Sequence, residues 1–118
     1  MIIGIGLDLI EISRIKEAYE NKKSFSERVL TAAEHALFSR YPEKRKMEFL
    51  AGRFAAKEAY SKAMGTGIGK VGFQDIEILP DKDNKPTVTR SPFEGNSFVS
   101  ITHTDSVAAA QVILEKNH

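Results

Sequence analysis

The spacing of hydrophobic and polar positions changes several times along this chain, and each change marks an element. The first segment, Ile2–Ile12, alternates as a strand does. Ile3, Ile5, Leu7 and Leu9 take one face; Gly4, Gly6, Asp8 and Ile10 take the other. Two glycines beside an aspartate thin that second face. They admit a closely packed helix, with Asp8 in water near the strand end, or some other group that approaches the backbone.

Helical spacing follows. Ser13 is placed to cap a helix from Arg14, with Ile12, Ile15 and Tyr19 as its apolar stripe. Phe25, Val29 and Leu30 anchor a connecting segment. Thr31-Ala32-Ala33-Glu34 matches a capping box, which starts a short helix that carries Leu37 and Phe38 and stops near Tyr41-Pro42. The stretch Phe49–Gly69 then reads as a long helix running into a glycine-rich stop, with Pro42 suited to its first turn and Gly65 at its C′ position. Met47, Leu50, Phe54, Glu58 and Ser61 share one stripe, and Phe49, Ala56, Tyr60 and Met64 form a second. A helix apolar on two sides is an enclosed one. Beyond it the chain is β-rich: Phe73–Leu79, a turn at Asp81–Pro86, Thr87–Thr89, then Phe98–His103 with Phe98, Ser100 and Thr102 opposite Val99, Ile101 and His103. Val107–Leu114 is the last strand, and its alanines predict close packing against a helix or a second subunit.

Composition narrows the function classes. A length of 118 residues predicts a single domain, 1–118, with its own core. The net charge of +1 argues against a dedicated nucleic-acid binder, so any charged partner must be met by a local patch. There is no cysteine, which removes thiolate and disulfide chemistry and fits a cytoplasmic setting. No apolar run reaches membrane-spanning length, and the start of the sequence lacks a signal-peptide pattern.

Several residues are candidates for chemistry. Glu58 puts a carboxylate on an apolar stripe, where it needs a cation, a hydrogen-bond set or a metal. The simplest partner is Lys62 at i,i+4. Lys44, Arg45 and Lys46 lie at the positive end of the long helix, which favours an anion nearby. Gly65-Thr66-Gly67-Ile68-Gly69-Lys70 looks like a phosphate loop but follows its helix instead of preceding it, so only backbone N–H groups or cations such as Lys62 could attract an anion there. His103 stands at a strand end beside Thr104; a lone histidine is more often structural or exposed than functional, yet a strand terminus is where a sheet protein presents side chains to a cleft. Arg14, Lys16, Lys22, Lys23 and Arg28 make the first helical region basic, as a solvated helix face also would be.

Three of these segments together resemble one family. Gly6-Leu7-Asp8 followed by Arg14 resembles its G-x-D…R element, Phe54-Ala55-Ala56-Lys57-Glu58-Ala59 its F-x-x-K-E-A element, and Ser100-Ile101-Thr102-His103 its S-I-[ST]-H element. The family is the phosphopantetheinyl transferases, in the small holo-[acyl-carrier-protein] synthase class. The resemblance covers nearly the whole chain in the right order. It implies an α+β fold, an antiparallel sheet wrapped around the long helix. It also implies a homotrimer with coenzyme A bound between neighbours, and transfer of phosphopantetheine from coenzyme A to a serine of apo acyl carrier protein. Under it Asp8 and Glu58 are expected to ligate Mg²⁺, with Glu58, directly or through water, as general base and Lys62 at the leaving phosphate. Lys44, Arg45, Arg53, Lys62 and Gly65 are expected to meet the coenzyme A phosphates, and His103 with Thr104 its nucleotide end. Arg14, Lys22, Lys23 and Arg28 are expected to receive the acidic carrier. Two rivals stand beside it. One is a non-catalytic α+β binding module in which Asp8 and Glu58 are ordinary ion-pair members. The other is a nucleic-acid module built on Lys44-Arg45-Lys46 and Lys22-Lys23, which lacks a reading motif.

Overall fold

The computed structural model describes residues 1–117. Strand β1 (Ile2–Glu11) leads directly into α1 (Ile12–Asn21), followed by α2 (Ser24–Val29), α3 (Ala32–Phe38) and the long helix α4 (Glu43–Met64). A 3-10 turn at Phe73–Asp75 precedes β2 (Glu77–Pro80), β3 (Pro86–Arg90), β4 (Asn96–His103) and β5 (Val107–Glu115). All strand pairs are antiparallel: a three-stranded sheet in the order β1-β5-β4, and a separate β2-β3 ribbon. The fold is α+β, with the sheet and ribbon gathered around α4. Among the described residues no helix is long and apolar enough to cross a membrane.

Helix α4 is enclosed, as its two apolar stripes predict. Phe49, Leu50, Ala55, Ala56, Ala59 and Tyr60 are all buried, and Gly65 closes the helix in the left-handed conformation at φ 78°. The helix lies on the glycine face of β1. A Cβ built on Gly6 would stand 1.7 Å from the Ala59 carbonyl oxygen, and one on Gly4 2.0 Å from that of Ala63. Glycine is therefore required at both positions, because the obstacle is helix backbone and cannot rotate away. The group that approaches the thin face of β1 is thus the helix itself. The opposite face points outward, with Ile3, Ile5, Leu7 and Leu9 exposed and Phe98 exposed on the same side two strands away on β4. The β5 alanines divide as alternation requires: Ala108 and Ala110 are buried on the α4 side.

Three local expectations are corrected. Ser13 does not cap α1; the helix begins at Ile12 with Glu11 at the cap, because the strand runs straight into it and the Ile12 N–H donates to the Ser106 carbonyl at 2.9 Å. Phe25–Leu30 is not a plain connector but holds helix α2, too short for a periodic signature. Phe73–Leu79 is not one strand, since its first turn is 3-10 and the strand starts at Glu77. The Thr31–Glu34 capping box is present as expected.

A fully buried ion pair ties these elements together. The Lys57 Nζ donates to Glu34 Oε1 at 2.6 Å, to the Val29 carbonyl at 2.7 Å and to the Phe73 carbonyl at 3.0 Å, which uses all three ammonium protons. Glu34 also accepts from the Thr31 N–H at 2.8 Å and, through Oε2, from the Ile78 N–H at 2.7 Å. One pair therefore joins α2, α3, α4, the 3-10 turn and β2. Burial pushes the Lys57 amine below its usual value, and Glu34 opposes that push. The Thr31 hydroxyl extends the network to Glu77 at 2.7 Å and, with Thr89, draws the Glu77 carboxyl below the usual range. Removing one member strands a buried charge. Lys57→Met alone should cost about 3–5 kcal/mol, and the Glu34→Gln, Lys57→Met double variant should lose clearly less than the sum of its single changes. Urea denaturation reads both, and strict additivity would show that the pair is not coupled.

Candidate active site

Asp8 sits on the inner face of β1, two positions beyond Gly6, so the contact that draws α4 onto the glycines also carries Asp8 to the last turns of that helix. There Lys62 reaches it. The Lys62 Nζ donates to Asp8 Oδ1 at 3.0 Å and to the Leu7 carbonyl at 3.1 Å. The simple Glu58–Lys62 pair read from spacing is therefore replaced by a Lys62–Asp8 pair, with Glu58 beside it. Glu58 is half-buried, and burial holds its carboxyl above the usual carboxylate range. The negative charge of Asp8 adds to the rise, and Lys62 offsets part of it. Two hard carboxylates and one ammonium converge here. Two carboxylates set close together are a hard-oxygen donor set whose mutual repulsion a divalent cation relieves, so Asp8 and Glu58 fit Mg²⁺. Among the described residues no three carboxylate or histidine side chains come together, so water or a bound phosphate would have to complete an octahedron.

A second group forms toward the other end of α4. A cavity of about 160 Å³ is lined by Arg45, Glu48, Arg53, Asn84 and His103, among others. Arg53 is rooted in its wall: Nε donates to the Ile78 carbonyl at 3.1 Å and the guanidinium lies 4.3 Å from the Phe49 ring centroid. Burial lowers its pKa to about 10, which leaves it charged at neutral pH. Arg45 rests over the Tyr41 ring at 5.1 Å. His103 ends β4 on its inner face, where Nε2 stands 3.5 Å from Glu48 Oε2. Arg45 and Glu58 are roughly 20 Å apart along the helix at 1.5 Å per residue, and neither Asp8 nor Glu58 lines the cavity.

The remaining expected site residues are scattered. Lys44 leaves Arg45 and Arg53 and pairs at the surface with Asp105 at 3.7 Å. Thr104 spends its hydroxyl on the β4–β5 turn, accepting from the Ser106 and Val107 N–H groups. Gly65 lies at the far end of α4 from the cavity. The basic residues do share a surface: Lys22 and Arg28 flank Phe25 in one groove, Arg14 lines the next, and Ala18 borders both. Lys23 covers the Tyr19 ring at 4.3 Å. Sequence reasoning missed Lys57, Glu48 and Asn84. Lys57 stood inside a quoted motif, but its partner Glu34 is remote in sequence. Glu48 had one available signal, its i,i+3 spacing from Arg45.

Comparisons with known proteins now bear on this geometry. Residues 4–113 match the model of the 4′-phosphopantetheinyl transferase superfamily. The chain belongs to that superfamily. This phosphopantetheinyl transferase is 59% identical over 115 residues to the holo-[acyl-carrier-protein] synthase of Enterococcus faecalis, covering 98% of each chain. It is 58% identical over 117 residues to that of Streptococcus agalactiae, again covering 98% of each. Among solved structures it resembles a holo-(acyl-carrier-protein) synthase from Bacillus anthracis in complex with CoA (3′,5′-ADP), at TM-score 0.93, 47% identity and 99% of each chain. A Helicobacter pylori holo-[acyl-carrier-protein] synthase in complex with coenzyme A matches at TM-score 0.83 and 35% identity, over 94% of this chain and 99% of that one. The chain is a transferase of the holo-[acyl-carrier-protein] synthase class.

Proposed function

We propose that this transferase moves 4′-phosphopantetheine from coenzyme A to a serine of apo acyl carrier protein, releasing adenosine 3′,5′-bisphosphate. The observation that carries the assignment of the reacting centre is the convergence of Asp8, Glu58 and Lys62. Asp8 and Glu58 would hold Mg²⁺, which supplies Lewis-acid polarisation of the pyrophosphate. The serine oxygen forms a bond to the phosphorus that bears the pantetheine arm, and the bond from that phosphorus to the departing nucleotide phosphate breaks. Glu58, directly or through a water that it orients, takes the serine proton. Lys62 keeps a positive charge beside the reacting phosphates and offsets the charge that grows on the leaving oxygen. Arg45, Arg53 and His103 hold the phosphate and nucleotide end of coenzyme A, while Lys44, Thr104 and Gly65 lie outside that cavity in a single chain.

One chain keeps its two charged groups apart, and this supports assembly. The outward face of β1 exposes Ile3, Ile5, Leu7 and Leu9 at 46–63%, with Phe98 exposed on the same side of the sheet, an apolar surface that a second copy covers. Copies packed there bring the Asp8–Glu58 end of one chain near the Arg45–His103 end of the next, with coenzyme A spanning both. The number three follows from the family resemblance.

Arg14, Lys22, Lys23 and Arg28 form the docking face for the acidic carrier. Neither rival reading accounts for the Asp8–Glu58–Lys62 convergence together with the family match. Three measurements test the proposal. Asp8→Asn and Glu58→Gln should each slow transfer at least about 100-fold while the chain stays folded, read by intact mass of a carrier incubated with coenzyme A and Mg²⁺. An unchanged rate in either would remove that carboxylate from the site. Sedimentation equilibrium should return a trimer at micromolar concentration, and Leu7→Glu, Leu9→Glu should lower the mass toward one chain; a fully active wild-type monomer would refute the shared site. Arg14→Glu should raise KM for the carrier and flatten its salt dependence, since exposed charge acts on association and is screened by salt. A wild-type KM at low ionic strength would move docking elsewhere.

A further inference from the structure

The cavity at the front of α4 contains a group that an anion site does not need. Beside Arg45, Arg53 and the imidazole of His103 stands the carboxylate of Glu48. It is not a stray surface charge: its side chain is only 15% exposed, Oε1 lies 3.9 Å from Arg45 Nη1, and Oε2 lies 3.5 Å from His103 Nε2. A single carboxylate thus stands against two of the three basic side chains that line the cavity. Arg53 is held otherwise, by the Ile78 carbonyl and the Phe49 ring.

We infer that Glu48 is an internal competitor in this cavity, an anion that an entering phosphate must displace from Arg45 and His103 and that thereby holds down the affinity for that phosphate. The inference rests on the proposed use of the cavity for the nucleotide end of coenzyme A. The reacting pyrophosphate belongs with Asp8 and Glu58. Coenzyme A carries one further phosphate, the monoester on its ribose, and a compact cationic cavity of about 160 Å³ suits a group of that size and charge. An internal carboxylate penalises every ligand that brings negative charge to Arg45 and His103. The doubly charged monoester is held by the Arg45 guanidinium and the His103 ring N–H and overcomes the penalty. A ligand without it has nothing to exchange for the Glu48 contacts and leaves them in place. Glu48 keeps Arg45 compensated and His103 partnered when the cavity is empty, and it lowers affinity for the monoester specifically.

The experiment measures dissociation constants for coenzyme A and for dephospho-coenzyme A, which lacks the monoester, by calorimetry on the assembled wild-type protein and on Glu48→Gln. The amide keeps the size and polarity of the side chain, and thermal melting checks that the variant is folded. Glu48→Gln should tighten coenzyme A roughly tenfold by removing a nearby like charge and change dephospho-coenzyme A little, so the preference for the monoester widens. An unchanged or narrowed preference in a folded variant overturns the role of Glu48 while leaving the transferase reading intact. A wild-type protein that binds neither nucleotide overturns both. If Glu48→Gln does not fold, the same pair of ligands on Glu48→Ala gives the same readout.

Discussion

The contact between the backbone of α4 and the glycine face of β1 sets the geometry on which the rest of the molecule depends. At Gly4 and Gly6 no side chain separates strand from helix, and the distances leave no room for one. That approach brings Asp8, next along the same face, to Lys62 and Glu58. On its other side α4 is pinned by Lys57, whose ammonium is bound at three points. Lys57 and Glu58 are adjacent in sequence and project in different directions. One fixes the rotation of the helix from the α2–α3 side, and the other carries the carboxylate turned toward β1. Neither constraint alone defines where Glu58 points.

Charge is divided along α4. Two carboxylates and Lys62 occupy its last turns, while Arg45, Arg53 and His103 gather around its first half. A ligand with phosphates at both ends of a long molecule meets complementary demands at the two ends, one for metal-binding oxygen and one for cations. The exposed apolar face of β1 lies on the other side of the same strand that carries Asp8. The Asp8–Glu58–Lys62 cluster and the exposed apolar face are thus separated by the thickness of a single strand.

Much of this was legible in the sequence because it rests on local patterns. The alternation of β1, the capping box at Thr31 and Glu34, the two-sided apolar helix and the αL glycine at its end are encoded within a few residues of where they act. Asp8, Glu58 and Lys62 were legible as a set through the family's motifs, and the Lys62–Asp8 bond shows why the spacing argument alone mispaired Lys62. The illegible parts are those that depend on distant partners. Lys57 becomes a core residue only because Glu34, Val29 and Phe73 surround it. Glu48 becomes a cavity residue only because β4 delivers His103 to it. The scattering of Lys44, Thr104 and Gly65 has the same origin, since motif order says nothing about which side of a helix or turn a residue takes.

The pairing of β1 with β5 has a consequence for how the molecule is made. Every residue from Ile2 to Glu11 on the register finds its strand partner near the other end of the chain, and α4 must already be in place to cover the glycines between them. During synthesis β1 leaves the ribosome long before β5 exists. Its alternating residues, Ile3, Ile5, Leu7 and Leu9, have no sheet to belong to for that interval. The strand that organises the finished protein can therefore pair only once nearly the whole chain is made, and pairings of such long sequence separation form slowly as a class. Until then the same residues are an adhesive edge open to any partner in reach.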